Sequence, residues 1–183
     1  MIFLINIILF NWNEVSWLFH YRVAPRGIQS IIFQEDRIVE RYDKDNTIKI
    51  NAIGISAPII IPDGNTDVDI YNALKGGVAH FPGSPFPGEK GVSILLGHSS
   101  PPGWPKIDYE WVFTEVEELE RGDEIKIYFN GYLFTYIMTE QIFLEVGEQV
   151  PHYYSNKKEI ILLSCWPPGK NIKRIGIRAV LTK

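Results

Sequence analysis

EIKIYFNGYLFTYIM, residues 124–138, is the stretch that decides the fold. Glu124–Phe129 and Tyr132–Met138 are rich in β-branched and aromatic residues, and they flank Asn130-Gly131. Asn-Gly between two such runs is the strongest short hairpin signal, because a type I′ turn needs positive φ at both central positions. Strand signals continue on both sides. Lys173–Leu181 alternates, with Ile175, Ile177 and Ala179 on one face and Arg174, Gly176 and Arg178 on the other. Lys158–Ser164 and Val92–His98 (VSILLGH) read as buried strands, the first ending at Cys165 and the second at His98 itself. Thr47–Ile61, punctuated by Gly54 and Pro58, suggests two short strands. Helical signals are short. Thr66 with Asp69 caps a helix that Gly76-Gly77 stops, and Thr114 with Glu117 forms a capping box for a turn or two, closed by Gly122. Pro/Gly loops at residues 82–88 and 101–105 separate these pieces. Many short strands between turn signals predict a mainly β protein, a barrel or sandwich with small helices.

At 183 residues the chain has a prior of one domain and is long enough to bury a sizeable core. Hydrophobic residues make up 45% and charged residues 22%, a globular composition rather than a disordered one. Eighteen Lys and Arg against twenty-two Asp and Glu give a net charge of −4, which argues against nucleic acid as a partner. A single Cys excludes an intramolecular disulfide and any multi-Cys zinc or iron–sulfur site, without fixing the compartment. Arg37–Asn46 (RIVERYDKDN) is charged and reads as a linker, which makes 1–46 an N-terminal region and 47–183 the folded domain. MIFLINIILF opens the chain, and Val15–Val23 adds a second apolar piece. Residues 1–23 have the length of a membrane span, but Glu14 and Arg22 lie inside it and no basic residue precedes it. Two readings stay open: a strand-forming or amphipathic arm, and a degraded or truncated membrane anchor.

Chemistry concentrates at the ends of the two buried strands. Strand ends that project into Pro/Gly loops are where a rigid scaffold displays functional groups. A Cys nucleophile needs a partner that favours thiolate, because its free pKa of about 8.5 leaves little thiolate at neutral pH. A spatially adjacent His such as His98 supplies that partner. An oxyanion formed on an attacked carbonyl needs donors, and a guanidinium suits it. Arg174 follows Cys165 across a turn containing Pro167, Pro168 and Gly169, a length that returns the next strand beside the first. Against this stand plainer readings: Cys165 as a small core residue, His98 as a satisfied structural histidine, and Arg174 and Arg178 as solvent-facing charges. His20, His80 and His152 are read as structural or surface residues. A metal site from His80, His98 and Cys165 fits no recognised ligand spacing. Asp67, Asp69, Glu115, Glu117 and Glu118 read as helix N-terminal acids.

The order of these segments resembles a family. A small-residue helix ends in Gly76-Gly77, AHFPGSPFPGEKGVSILLGHSS follows, then a helix containing Phe113 and the run GDEI, then IILLSCWPPGKNIKRIGIRA. This pattern is similar to that of the sortases, cysteine transpeptidases of the Gram-positive cell surface, over Thr47 to Lys183. Gly97-His98 matches the family's Gly-His at a strand end. Residues 161–165, ILLSC, match its TLxTC motif, and Arg174 matches its Arg. The short Cys-to-Arg spacing and the CWPPG turn most resemble class D and E sortases. Two departures are Ile161 in place of the first Thr and Ser164 in place of the second, the latter keeping a hydroxyl. The resemblance implies a closed β-barrel of about eight strands with short helices. It implies cleavage of an LPxTG-like sorting signal through a Cys165 thioester, His98 as acid and base, and Arg174 holding the substrate backbone and oxyanion. It further implies an amine acceptor on a cell-wall precursor or a pilin lysine, no cofactor, and a place on the extracellular face of the cell membrane. Some relatives use calcium, but no carboxylate cluster falls on a matching loop. A hydrolytic peptidase using the same dyad and a non-catalytic surface-binding module are the rival expectations.

Overall fold

The computed structural model describes residues 46–151 and 156–182. The apolar N-terminal arm, His20, the linker up to Asp45, and His152 lie outside the described residues. The strands are β1 (Thr47–Ile50), β2 (Ile55–Ile60), β3 (Val78–His80), β4 (Gly91–Leu96), β5 (Glu124–Phe129), β6 (Tyr132–Glu145), β7 (Lys158–Trp166) and β8 (Lys173–Leu181), with one α-helix, α1 (Asp67–Gly76). They close into a barrel in the order β1-β2-β3-β4-β7-β8-β6-β5. The expected eight-stranded barrel is therefore what the chain forms.

The hairpin that decides the fold closes as its sequence dictates. Asn130 (φ 50°) and Gly131 (φ 78°) both adopt left-handed conformations, and Phe129 pairs with Tyr132 across the turn. Asn46 braces it, since the Asn130 N–H donates to Asn46 Oδ1 at 2.9 Å. Alternation then sorts the side chains. Ile125, Ile127 and Phe129 of β5, Ile160 and Leu162 of β7, and Ile175, Ile177 and Ala179 of β8 all enter one core inside the barrel. Burying each such side chain contributes roughly 1.5–3 kcal/mol.

β4 and β7 run parallel, with Ile94 opposite Ile161 and Leu96 opposite Leu163. These two strands read as unbroken apolar runs because both of their faces are covered. Leu95, Ile160 and Leu162 point into the barrel. Val92, Ile94 and Ile161 form a second buried cluster on the outer face, with Leu96, Leu163, Ile142 and Val150 packed against it. The Ile161 departure from the family motif thus places an apolar residue in an apolar cluster.

The α1 capping box is present: Thr66 Oγ1 accepts from the Asp69 N–H, and Asp69 accepts from the Thr66 N–H. The second helical signal gives one short 3₁₀ turn and no α-helical one. Residues 109–115 are turns leading into a short 3₁₀ helix, Val116–Glu118. Thr114 is not a cap, because its hydroxyl is taken by the main chain of Ser100, accepting from the N–H at 2.9 Å. Its neighbours Val112, Phe113, Val116 and Leu119 instead join the barrel core. β3, three residues long and parallel to β2, falls in the GVAHFPG stretch expected to be a loop.

Candidate active site

The ladder between β4 and β7 sets the site. Leu96 lies opposite Leu163, and the Gly97 N–H donates to the Leu163 carbonyl at 3.1 Å. One pleat further along, His98 reaches the level of Cys165 on the same face, because side chains repeat every two residues. On the other edge of β7, Cys165 lies directly opposite Arg174 of β8. Cβ atoms of directly opposed residues are about 4.5–5.5 Å apart. Cys165 and Arg174 are therefore neighbours on the outer barrel face, at the end of the apolar stripe made by Ile94, Leu96, Ile161 and Leu163, and His98 follows two residues past the end of β4. The strand that the sequence reads as ending at Cys165 runs one residue further, to Trp166. Cys165 lies inside β7, which β8 holds in register as far as Trp166 opposite Lys173.

Glycines make this corner possible. A Cβ on Gly97 would run into the ring of Phe113, so the residue before His98 must be small. Gly169, at φ +76° in the turn between β7 and β8, lies against Pro101 so closely that a Cβ would reach its ring within 2.5 Å. Ser164 points inward, and its Oγ donates to the Gly97 carbonyl at 2.7 Å. That bond gives the hydroxyl of the motif a structural job, tying β7 to the residue before His98.

The electrostatics separate the candidates. Burial pushes the pKa of half-buried His98 below its ordinary 6.5, while the nearby Glu110 carboxylate pulls it upward. The imidazole meets the edge of Tyr71 at 6.3 Å between centroids. A cleft of about 430 Å³ opens beside it, lined by Tyr71, Lys75, Ser99, Trp104 and Glu110 among others. Cys165 is a free, half-buried thiol. Arg174 Nη1 donates to the Lys173 carbonyl at 3.0 Å. Arg178 is engaged elsewhere: its Nη2 lies 2.6 Å from Glu159 Oε2 and its Nη1 3.0 Å from Glu140 Oε1. Burial pushes the Arg178 guanidinium down, but the bonds to Glu159 and Glu140 more than offset this and hold it charged.

His80 is a structural residue, 3% exposed, with Nε2 3.0 Å from the Pro85 carbonyl and its ring stacked on Phe86. Among the described residues no group of His, Cys, Asp or Glu could hold a metal ion. Sequence reasoning missed Glu110, which bears on His98 from a loop twelve residues on, and Ser99, whose Oγ donates to the Cys165 carbonyl at 2.8 Å. No local periodicity flags either residue. Only the adjacency of Ser99 to His98 could have drawn attention to it.

Comparison with known proteins gives one consistent picture. The profile of the Sortase domain family matches residues 48–182. Sortase D of Bacillus subtilis (strain 168) is 32% identical over 114 residues, covering 62% of this chain and 50% of the relative, so the matched stretch spans half of that protein's length. Among solved structures, sortase C of Streptococcus pneumoniae superposes with a TM-score of 0.62 at 19% identity, over 80% of this chain and 70% of that one. Sortase C1 of GBS pilus island 1 gives 0.63 at 21% identity, over 83% and 70%. Sortase C-1 of Actinomyces oris gives 0.60 at 20% identity, over 87% and 84%. At these identities the structural likeness shows the barrel fold.

Proposed function

We propose, from the premise that this chain belongs to the sortase family, that it is a cysteine transpeptidase acting on an LPxTG-like sorting signal. Its class D or E character agrees with the similarity to sortase D. Cys165 is the nucleophile, His98 the proton carrier and Arg174 the oxyanion donor.

The chemistry follows from the environments. Burial favours neutral imidazole at His98, so it can take the Cys165 proton as the thiolate attacks the carbonyl before the scissile bond. The carbonyl oxygen gains negative charge, and the Arg174 guanidinium, opposite Cys165, stabilises it. The C–N bond then breaks, and imidazolium returns the proton to the leaving amine. The product is a thioester on Cys165. An incoming primary amine attacks it, His98 accepts a proton from that nitrogen, the C–S bond breaks, and an amide forms while the thiol is restored. Of the apolar stripe, the half-buried Leu96 and Leu163 suit the apolar part of the signal, while Ile94 and Ile161 are buried beneath their neighbours. The acceptor is an amine of a cell-wall precursor or a pilin lysine. Residues 47–183 form the catalytic domain, and 1–46 an arm and linker that keep the enzyme at the extracellular face of the membrane. Among the described residues no helix is long and apolar enough to cross a membrane. The membrane side of the proposal rests on the apolar residues 1–23.

The observation that carries this reading is the registration of Cys165 opposite Arg174, beside the strand β4 that His98 follows by two residues. The test is acyl-acceptor competition on a sorting-signal peptide. Added primary amine should divert product from free acid to amide with the same Cys165 dependence. Cleavage that amine never diverts would make the protein a hydrolase.

A further inference from the structure

We infer that Ser99 is a positioning residue that sets the spacing between His98 and Cys165, an assignment that rests on the catalytic reading of that pair. In a parallel pair, alternate residues of one strand donate their N–H groups to alternate carbonyls of the other. Gly97 N–H already donates to the Leu163 carbonyl, so an unbroken ladder would continue with Ser99 N–H to the Cys165 carbonyl. That bond is made instead by the Ser99 side chain, whose Oγ donates to the Cys165 carbonyl at 2.8 Å. The hydroxyl stands in for the backbone amide. It lets the chain leave the sheet after Gly97 while keeping a rung between the residue after His98 and Cys165.

The same residue reaches the third side of the site. The Ser99 carbonyl accepts from the Gly169 N–H at 3.2 Å, in the turn that leads from Cys165 towards Arg174. Ser164 Oγ, donating to the Gly97 carbonyl at 2.7 Å, ties the strands in the opposite sense one residue earlier. His98 therefore sits between two crossed side-chain bonds, each running to the segment that bears Cys165. The Ser99 bond is the one beyond the end of the ladder, where no backbone pairing between the two strands replaces it. β8 holds Cys165 in register, so loss of the Ser99 bond frees the His98–Ser99 segment to drift relative to Cys165, and misplacements of about 1 Å can cost on the order of 10²-fold in rate.

The test compares Ser99→Ala, Ser99→Thr and Ser99→Val. Thr and Val are isosteres, so their difference reads the hydroxyl alone. Ala and Val should lower kcat about tenfold with KM for the signal peptide little changed, and Thr should restore most of it. A second readout does not require transfer: the pH profile of Cys165 alkylation by iodoacetamide should shift in Ala and Val and return towards wild type in Thr. Wild-type kcat and an unshifted profile in Ala and Val overturn the inference, as does a Thr variant no better than Val. If the wild type shows no transfer to any amine but its alkylation profile depends on His98, the transpeptidase reading fails while the alkylation series still decides the role of Ser99.

Discussion

Arg178 offers the sharpest contrast between stability and catalysis, because it shares a strand face with Arg174 yet belongs to a different part of the fold. Its side chain is 12% exposed and that of Glu159 is 4% exposed, and they meet at 2.6 Å. Glu140, on the rim, adds a second contact at 3.0 Å but is largely open to solvent. Replacing Arg178 by Ala removes the guanidinium from the buried Glu159 carboxylate. Breaking one side of such a pair costs about 3–5 kcal/mol. For a domain of this size that corresponds to a fall of about 10 °C in Tm. Four residues separate Arg178 from Arg174, or about 13 Å along the strand, so kcat/KM on a sorting-signal peptide should fall less than tenfold. The double variant Arg178→Met with Glu159→Gln should recover most of the stability, because replacing a buried pair with uncharged side chains is often neutral. Thermal melts followed by circular dichroism and steady-state peptide kinetics give both numbers. An Arg178→Ala protein with an unchanged Tm and crippled kcat/KM would refute the reasoning, and would make Arg178 the oxyanion donor.

Other expectations follow from the same geometry. Arg174→Ala should lower kcat/KM about 10²–10³-fold, and Arg174→Lys should rescue only partly because Lys lacks the planar fork; equal activity of Ala and wild type would remove Arg174 from the mechanism. Gly97→Ala should destabilise by about 1–3 kcal/mol, since its methyl meets the Phe113 ring, and Phe113→Leu should relieve part of that cost in a double-variant melt. His98 should titrate below 6.5 in the folded protein, and Glu110→Gln should lower it further by removing the carboxylate that pulls it up, as followed by NMR of the ring protons. The sign for stability is fixed by this: unfolded His98 binds a proton near 6.5 while the folded site resists it. His98 therefore lowers stability as pH falls below that value and has no such effect above it.

Much of the barrel was legible because its strands carry local signals. Asn130-Gly131 fixes the β5–β6 turn, and the alternation of Arg174 to Ala179 fixes which face of β8 points inward. The apolar runs around Leu95 and Ile161 announced strands buried on both faces. What stayed hidden was decided by partners remote in sequence. Thr114 carries a sound capping pattern, but Ser100 takes its hydroxyl and the segment packs into the core as turns. Val78–His80 is too short to show a period, and it is a strand only because β2 and β4 flank it. For the proposed site, residue type and strand context single out His98, Cys165 and Arg174 as candidates. How the β4 and β7 candidates line up could not be read, because the parallel register of β4 against β7 is written in no single segment. Ser99 and Glu110 matter only through contacts made after that register is set.

The central claim is a covalent one: an acyl group resides on Cys165 between two amide exchanges. Intact-mass spectrometry of the protein mixed with an LPxTG-type peptide measures it directly. The account predicts a thioester adduct equal to the peptide's acyl portion, mapped to Cys165, absent in Cys165→Ala, and discharged to a new amide when a primary amine is added. Peptide cleavage without any adduct on Cys165, or an adduct that persists unchanged in Cys165→Ala, would contradict it.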